Sequence, residues 1–472
     1  MSELLARFAA VRRDDPARPL IHRPGHSDAL SAAAIWDAHL AIAEALTRHS
    51  VSSGHLVVSA IGNTAASVPL LLACRAIGAA MMAVDAGATR VEVTGLAERF
   101  GATAIVGTLP NGDADIRPAA AETRTYPGAA MLKLTSGSTG QPKAAITTEA
   151  QLVADAMHII EAMGIRPDDT QIAAIPVSHS YGLGNLMLPL LLQGTAFVLR
   201  DSFVPQQLPD DARRAGARVF PGVPFMFDYF LANPPPGGWP PTLRLLISAG
   251  APLAPATARA CFERFGVKIH SFYGATETGG IAYDDGDEAA TDGNAIGRVM
   301  PGVTVTLRDE GRIHVASGAV ASGYCGGDGG AFVDGGFLTG DRGAFDTCGR
   351  LLLVGRVSSF VNVAGRKVQP DEVERVLHTM PGVVDVRVVA ADDPRRGQQL
   401  VACIVAAPPS GITSLAVRQF CASRLAPHKI PRLIFFVDAI PLTVRGKTDR
   451  AALDALVRAR MAQSLVVNFR PQ

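Results

Sequence analysis

Lysine is scarce in this chain. Six residues, at 133, 143, 268, 367, 429 and 447, are all that 472 positions hold. Arginine makes up the rest of 44 cations, which 43 acids offset to a formal net charge of +1. A chain so balanced has no field to draw it to nucleic acid or anionic lipid. The six cysteines, at 74, 261, 325, 348, 403 and 421, never form a CxxC pair. That argues against a zinc or redox centre and predicts buried thiols in a reducing compartment. Long apolar runs are missing too: the best candidate, 67–82, contains Arg75 and is too short to span a bilayer comfortably. The first residues, MSELLARFAAVRRDDPARP, place arginines and acids where a signal peptide needs an apolar core. These absences predict a soluble, cytoplasmic protein with no membrane span and no nucleic-acid partner. Internal repeats are also absent, PPPGGWPP (234–241) reads as a stiff surface turn, and the segment before residue 50 offers no readable pattern.

What is present is an alternation. HLVVSAIGN (55–63) reads as a buried strand, ASVPLLLACRAIGAAM (66–81) as a helix, and MMAVDAG (81–87) as a strand again. ATAIVG, QIAAIPV, GTAFVLR, ARVFPGV and TLRLLISAG continue the series, each closed by a turn residue or a charge. Strands alternating with helices predict an α/β fold with largely parallel sheets, and ligands in such folds gather at the carboxyl ends of strands. After about residue 295 the runs become short, alternating and turn-rich, which predicts a small antiparallel β region. The last hundred or so residues return to a small α+β rhythm. At 472 residues more than one domain is expected.

Chemistry-bearing residues cluster in a few stretches. LTSGSTGQPK (134–143) has two glycines, four hydroxyls and a lysine. Its glycines let backbone N–H groups converge on an anion, and Lys143 adds a charge suited to a polyphosphate. The spacing does not fit GxxxxGK[ST], so an ordinary P-loop phosphotransferase is not indicated; composition alone leaves an anion-binding loop and a plain surface loop about equally open. SFYGATETGG (271–280) sets Tyr273, Thr276 and Glu277 in close succession, able to stack on a purine or hold Mg²⁺, or simply to form a capped turn. GGFLTGDRG (335–343) offers Asp341, and the pair at 355–356 and RGKTDR (445–450) add Arg356 and Lys447.

In order and spacing these stretches resemble the adenylate-forming superfamily of acyl- and aryl-CoA synthetases, luciferases and peptide-synthetase adenylation domains, over roughly residues 50–450. The resemblance implies a large N-terminal AMP- and acid-binding domain of several subdomains (1–355) and a small mobile C-terminal domain (359–472). The hinge would lie at about 355–358, with Ser358 as its pivot. It implies that a carboxylate attacks the α-phosphorus of MgATP and that the thiol of CoA, or of a carrier-protein phosphopantetheine, then displaces AMP. Thr135, Ser136, Gly137, Ser138, Thr139, Gly140 and Lys143 would enclose the β- and γ-phosphates. Lys447, Thr276 and Glu277 would be catalytic, with Glu277 on Mg²⁺. Gly250, Ala251 and Tyr273 would frame adenine, Asp341 and Arg356 the ribose, and Gly365 the pantetheine tunnel. Ser358–Ser359 departs from the charged residue common at the hinge.

PVSHSYGLGN (176–185) corresponds to the stretch behind the acyl pocket and lacks the aspartate that would hold an α-ammonium. An unpaired ammonium there would cost several kcal/mol, so α-amino acids are disfavoured. Tyr181, Phe220, Val223 and Phe225 offer an apolar wall for a small-molecule aryl or fatty acid. His179 reads equally as a gate and as a satisfied loop histidine. A reading of another class, a non-catalytic nucleotide-binding scaffold, sits poorly with the presence of Lys447, Glu277 and Asp341 together.

Overall fold

The computed structural model describes residues 2–24, 29–85, 87–108, 114–119, 122–135, 142–200, 203–289, 295–327, 330–357, 361–363, 366–368, 370–393, 397–408, 411–425, 427–443 and 448–467. The chain divides into two compact units. One comprises residues 1–306, 314–339 and 345–352, the other 307–313, 340–344 and 353–472.

Two sheets organise the first unit, and both are read in the sequence. Seven strands form one sheet, in the order Gly323–Tyr324, Lys143–Thr148, Ala129–Thr135, Ala80–Ala83, Leu56–Ser59, Ala104–Thr108 and Ala114–Pro118. Its middle is parallel, as expected of strands buried on both faces: Leu56, Val57 and Val58 are fully buried. The edges turn antiparallel, and there Thr135 pairs with Lys143 and Tyr324 with Ala145. The second sheet runs parallel through Ala196–Leu199, Thr170–Ala173, Val219–Gly222, Leu245–Ser248 and Ile269–Ala275. It then reverses at residues 276–278 into Gly279–Tyr283. A sharp reversal at the end of a parallel run leaves backbone and side chains exposed where ligands of such sheets gather.

The Glu149–Met163 helix follows directly on Lys143–Thr148. Thr148 caps it with Gln151 in a reciprocal box, and Gly164 closes it at φ +58°. Its inward face, Leu152, Asp155, Ala156 and Ile159, therefore has a fixed register on the sheets.

The N-terminal segment, expected to offer no readable pattern, folds instead as two helices, Glu3–Asp14 and Ala32–Arg48, capped by Ser2 and Ser31. Leu4, Phe8 and Val11 are buried at helical spacing. The 234–241 stretch is more than a surface turn: Trp239 packs against Phe220, Phe230 and Phe265, with ring centroids 4.6–6.1 Å apart. Four cysteines are buried as expected, but Cys325 is only partly covered and Cys348 is exposed. No helix among the described residues is long and apolar enough to cross a membrane.

In the second unit a five-stranded sheet is built from Val361–Val363, Arg366–Val368, Val383–Asp393, Gly397–Ala406 and Leu433–Phe436. The Pro370–His378 helix packs on it through Val373 and Leu377. Glu374 of that helix is drawn inward and accepts the Val388 N–H at 2.6 Å. Burial pushes its carboxyl up to about 7, opposed by that bond and by Arg387, while Asp371 and Asp385 raise it further. Between the ordinary carboxylate value and 7 the folded state thus binds a proton that the unfolded chain has lost. Stability falls as pH rises through this window, by about 2–3 kcal/mol, and levels off above it. Denaturant midpoints at pH 5 and pH 8 check this: Glu374→Gln, which keeps an acceptor for Val388, flattens the decline seen in the wild type.

Candidate active site

The reversal at residues 276–278 collects side chains from four distant segments. Thr276 shares a hydrogen bond with Ser180, 3.1 Å between oxygens, tying the turn to the stretch behind the expected acyl pocket. Glu277 is held twice, its carbonyl accepting from the Ala321 N–H at 2.8 Å and its carboxylate from the Tyr324 hydroxyl. Tyr324 also meets the Thr135 hydroxyl, and the Lys143 ammonium lies 5.1 Å from the centre of its ring. Burial and the Glu277 charge push the Tyr324 phenol far up, so it stays a donor at any working pH. The two ends of the expected phosphate loop thus stand beside Glu277, because the strands that bear them are paired with the strand of Tyr324. Ser136, Gly137, Ser138, Thr139 and Gly140 lie outside the described residues, as do Lys447, Gly365 and Ser358.

Behind the turn, Asp155 accepts the Gly280 N–H at 2.8 Å. Lys133, on the same strand as Thr135, is 6% exposed. Burial lowers its ammonium, while the charges of Asp155 and Glu277 raise it. A partly exposed carboxylate at Glu277, beside the Tyr324 and Thr276 hydroxyls, suits a hard cation that keeps several waters, as Mg²⁺ does.

On the acid side, His179 caps the short Ser180–Gly182 helix, its Nδ1 accepting the Tyr181 N–H at 3.2 Å, which is the part of a satisfied loop histidine. The Tyr181 hydroxyl reaches the Ile247 carbonyl at 3.4 Å, and burial raises it well above the ordinary phenol value. Leu183–Met187 continues as a π turn, a form that often marks functional sites. Phe220 is fully buried among Phe227, Phe230 and Trp239, so it packs the wall from behind, whereas Val223 and Phe225 are partly exposed at its edge. Gly250 (φ +84°) and Ala251 form an exposed bend just after Leu245–Ser248. Tyr273 is largely buried within its strand. In the second unit, Arg356 donates to Asp341 at 2.8 Å.

The sequence reading missed Tyr324, Asp155 and Lys133. Tyr324 lies in an unremarkable GYCGG, and Asp155 is one acid on an amphipathic helix. Only the rarity of lysine singled out Lys133.

Tyr324→Phe removes the donor to Glu277 and leaves the ring beside Lys143. A hydrogen bond to a charged group is worth roughly 1.5 kcal/mol, so adenylate formation is expected to slow about tenfold, read as acid-dependent ATP–pyrophosphate exchange.

Comparison with known proteins identifies the family. Residues 127–325 match the AMP-binding enzyme family and residues 372–447 the AMP-binding enzyme C-terminal domain. A 2-succinylbenzoate–CoA ligase of Enterococcus faecalis is 31% identical over 67% of this chain and 67% of its own. A sulfoacetate–CoA ligase of Cupriavidus necator is 27% identical over 96% and 97%. The ATP-bound crystal structure of MatB from Rhodopseudomonas palustris superposes with a TM-score of 0.84 at 26% identity, covering 96% of this chain and 98% of that one. The chain belongs to the AMP-binding enzymes, the adenylate-forming superfamily of acyl- and aryl-CoA synthetase-like ligases.

Proposed function

We propose that this protein uses ATP to activate an aryl or fatty carboxylic acid and passes the acyl group to the thiol of CoA. The observation that carries this reading is the convergence on the Thr276–Glu277 turn of the phosphate-loop ends, Thr135 and Lys143, with the acid-side Ser180. A carboxylate oxygen of the acid attacks the α-phosphorus, the bond to the bridging oxygen breaks, and pyrophosphate leaves with the electron pair. The thiol then attacks the acyl carbon, the carbon–oxygen bond to AMP breaks, and the thiol proton passes to solvent. Both partners of the first step are anions, so fixed positive charge and in-line geometry supply the catalysis.

Each side chain has a part in that reading. Lys447 neutralises charge between the carboxylate and the α-phosphate. Thr276 donates to the α-phosphate, and Thr135 to Lys143 enclose the outer phosphates. Glu277 holds Mg²⁺, which when bound neutralises the leaving pyrophosphate. Gly250, Ala251 and Tyr273 border the adenine, and Asp341, aimed by Arg356, takes the ribose hydroxyls. Gly365 borders the pantetheine path. Residues 1–355 form the nucleotide and acid domain, and 359–472 the domain that brings Lys447, about a hinge at Ser358.

Aromatic and apolar acids are favoured by Tyr181, Val223 and Phe225, and by the absence of any acidic side chain at 176–185. Relatives named for 2-succinylbenzoate and for ferulate support the same class. CoA is the preferred acceptor because the relatives are CoA ligases. The test is ATP–pyrophosphate exchange against benzoates, cinnamates and fatty acids of graded length, followed by thioester formation with CoA or with a phosphopantetheinylated carrier protein. Exchange driven by at least one aryl or fatty acid, with CoA as the faster acceptor, is expected. No exchange with any acid overturns the activity, and a faster carrier protein overturns the acceptor.

A further inference from the structure

Beneath the Thr276–Glu277 turn lie two opposite charges for which the chemistry above has no use. Asp155, in the Glu149–Met163 helix, and Lys133, in the Ala129–Thr135 strand, are each 6% exposed. Burial drives both towards their neutral forms, the carboxyl upward and the ammonium downward, and each is held back by the charge of the other. Apolar residues would be cheaper at such positions, so a buried pair calls for a reason.

Contacts of the carboxylate supply one. Asp155 Oδ1 accepts the Gly280 N–H at 2.8 Å and lies 2.1 Å from where a Cβ on Gly279 would stand. Gly279 is at φ +71°, so the backbone folds down over the carboxylate at a position that only glycine fills easily. Oδ2 of the same group lies 3.4 Å from where a Cβ on Gly184 would stand, in the π turn behind the acid-side stretch. One carboxylate therefore holds the turn that carries Thr276 and Glu277 and lies close to the segment that follows Ser180. Lys133 shares its strand face with Thr135, two residues on.

We propose that Asp155, with Lys133 as its counter-charge, is a positioning residue for adenylate formation. It pins the Gly279–Gly280 backbone and so fixes how far Thr276 and Glu277 stand from the α-phosphate. The inference rests on the activity proposed above. Displacing such groups by about 1 Å costs on the order of 10²-fold in rate.

Two variants test it, Asp155→Ala and the double change Lys133→Met/Asp155→Asn. The first removes the acceptor; the second removes both charges but keeps an amide oxygen for Gly280. Each is compared with the wild type by steady-state ATP–pyrophosphate exchange and by hydrogen-exchange protection of residues 276–283. Asp155→Ala is expected to lower kcat by about 30-fold or more, to change KM for acid and ATP less than about threefold, and to unprotect the turn. The double variant is expected to regain about tenfold in kcat over Asp155→Ala and to restore protection. A folded Asp155→Ala with wild-type kcat, or a folded double variant no better than the alanine, overturns the proposal. If Asp155→Ala does not fold, the double variant decides: kcat near the wild type supports the proposal, and a fall of about 30-fold or more contradicts it. Exchange missing from the wild type itself removes the activity and the inference together, whereas an active wild type with an equally active Asp155→Ala removes the inference alone.

Discussion

In the Lys447→Ala variant, acid-dependent ATP–pyrophosphate exchange falls by about 10²–10³-fold, the loss that follows removal of one preorganised charge from a developing anionic centre. The first half-reaction brings a carboxylate against a phosphoryl group that already carries negative charge. At about 4 Å two unit charges repel by roughly 4 kcal/mol in a partly buried site, and a cation between them offsets that repulsion. Lysine supplies a compact charge, so Lys447→Arg, with its wider planar head, is expected to recover only part of the rate. The second half-reaction has a different need, since the thiol meets an acyl carbon. Thioester formation from a preformed acyl adenylate and CoA is therefore expected to stay within a few-fold of the wild type in Lys447→Ala. Equal losses in both steps would place the lysine elsewhere than at the α-phosphate.

Gly279→Ala is expected to abolish exchange and to lower the thermal midpoint by roughly 5 °C or more. A methyl group there would stand 2.1 Å from Asp155 Oδ1, and the backbone at φ +71° already disfavours a side chain. Neither the carboxylate nor the turn can yield without breaking the Gly280 hydrogen bond that joins them. Gly164→Ala isolates the conformational part, because Gly164 has φ +58° with nothing within 4 Å of an added Cβ. That control is expected to cost only about 1–2 kcal/mol and to leave exchange intact. Similar outcomes for the two glycines would mean that the contact with Asp155 is of no consequence.

The parallel core was legible because its strands are short apolar runs closed by turn residues: 56–59, 196–199, 219–222 and 245–248 lie inside the runs that pattern picks out, and 80–83 and 170–173 start one residue ahead of theirs. The reversal at Thr276–Glu277 was legible for a chemical reason, since hydroxyl, carboxylate and glycines in succession have little use in a core. Tyr324 was not. It reaches Glu277 because a two-residue strand, Gly323–Tyr324, pairs with the edge strand Lys143–Thr148, and pairing across some 180 residues leaves no local signal. Asp155 was hidden likewise, as an acid on an amphipathic helix normally faces water. Trp239 was misread because a lone aromatic among prolines and glycines has no period. The first helix, by contrast, had one, with Leu4, Phe8 and Val11 spaced for a single buried face.

Oxygen transfer from acid to nucleotide is the most direct measure of whether a carboxylate attacks the innermost phosphorus. The enzyme is given ATP, CoA and an accepted acid labelled with ¹⁸O in both carboxylate oxygens, and the spent nucleotide is weighed by mass spectrometry. The account predicts AMP carrying one ¹⁸O per turnover, with unlabelled pyrophosphate. ADP as product, or label in pyrophosphate or phosphate in place of AMP, would contradict it.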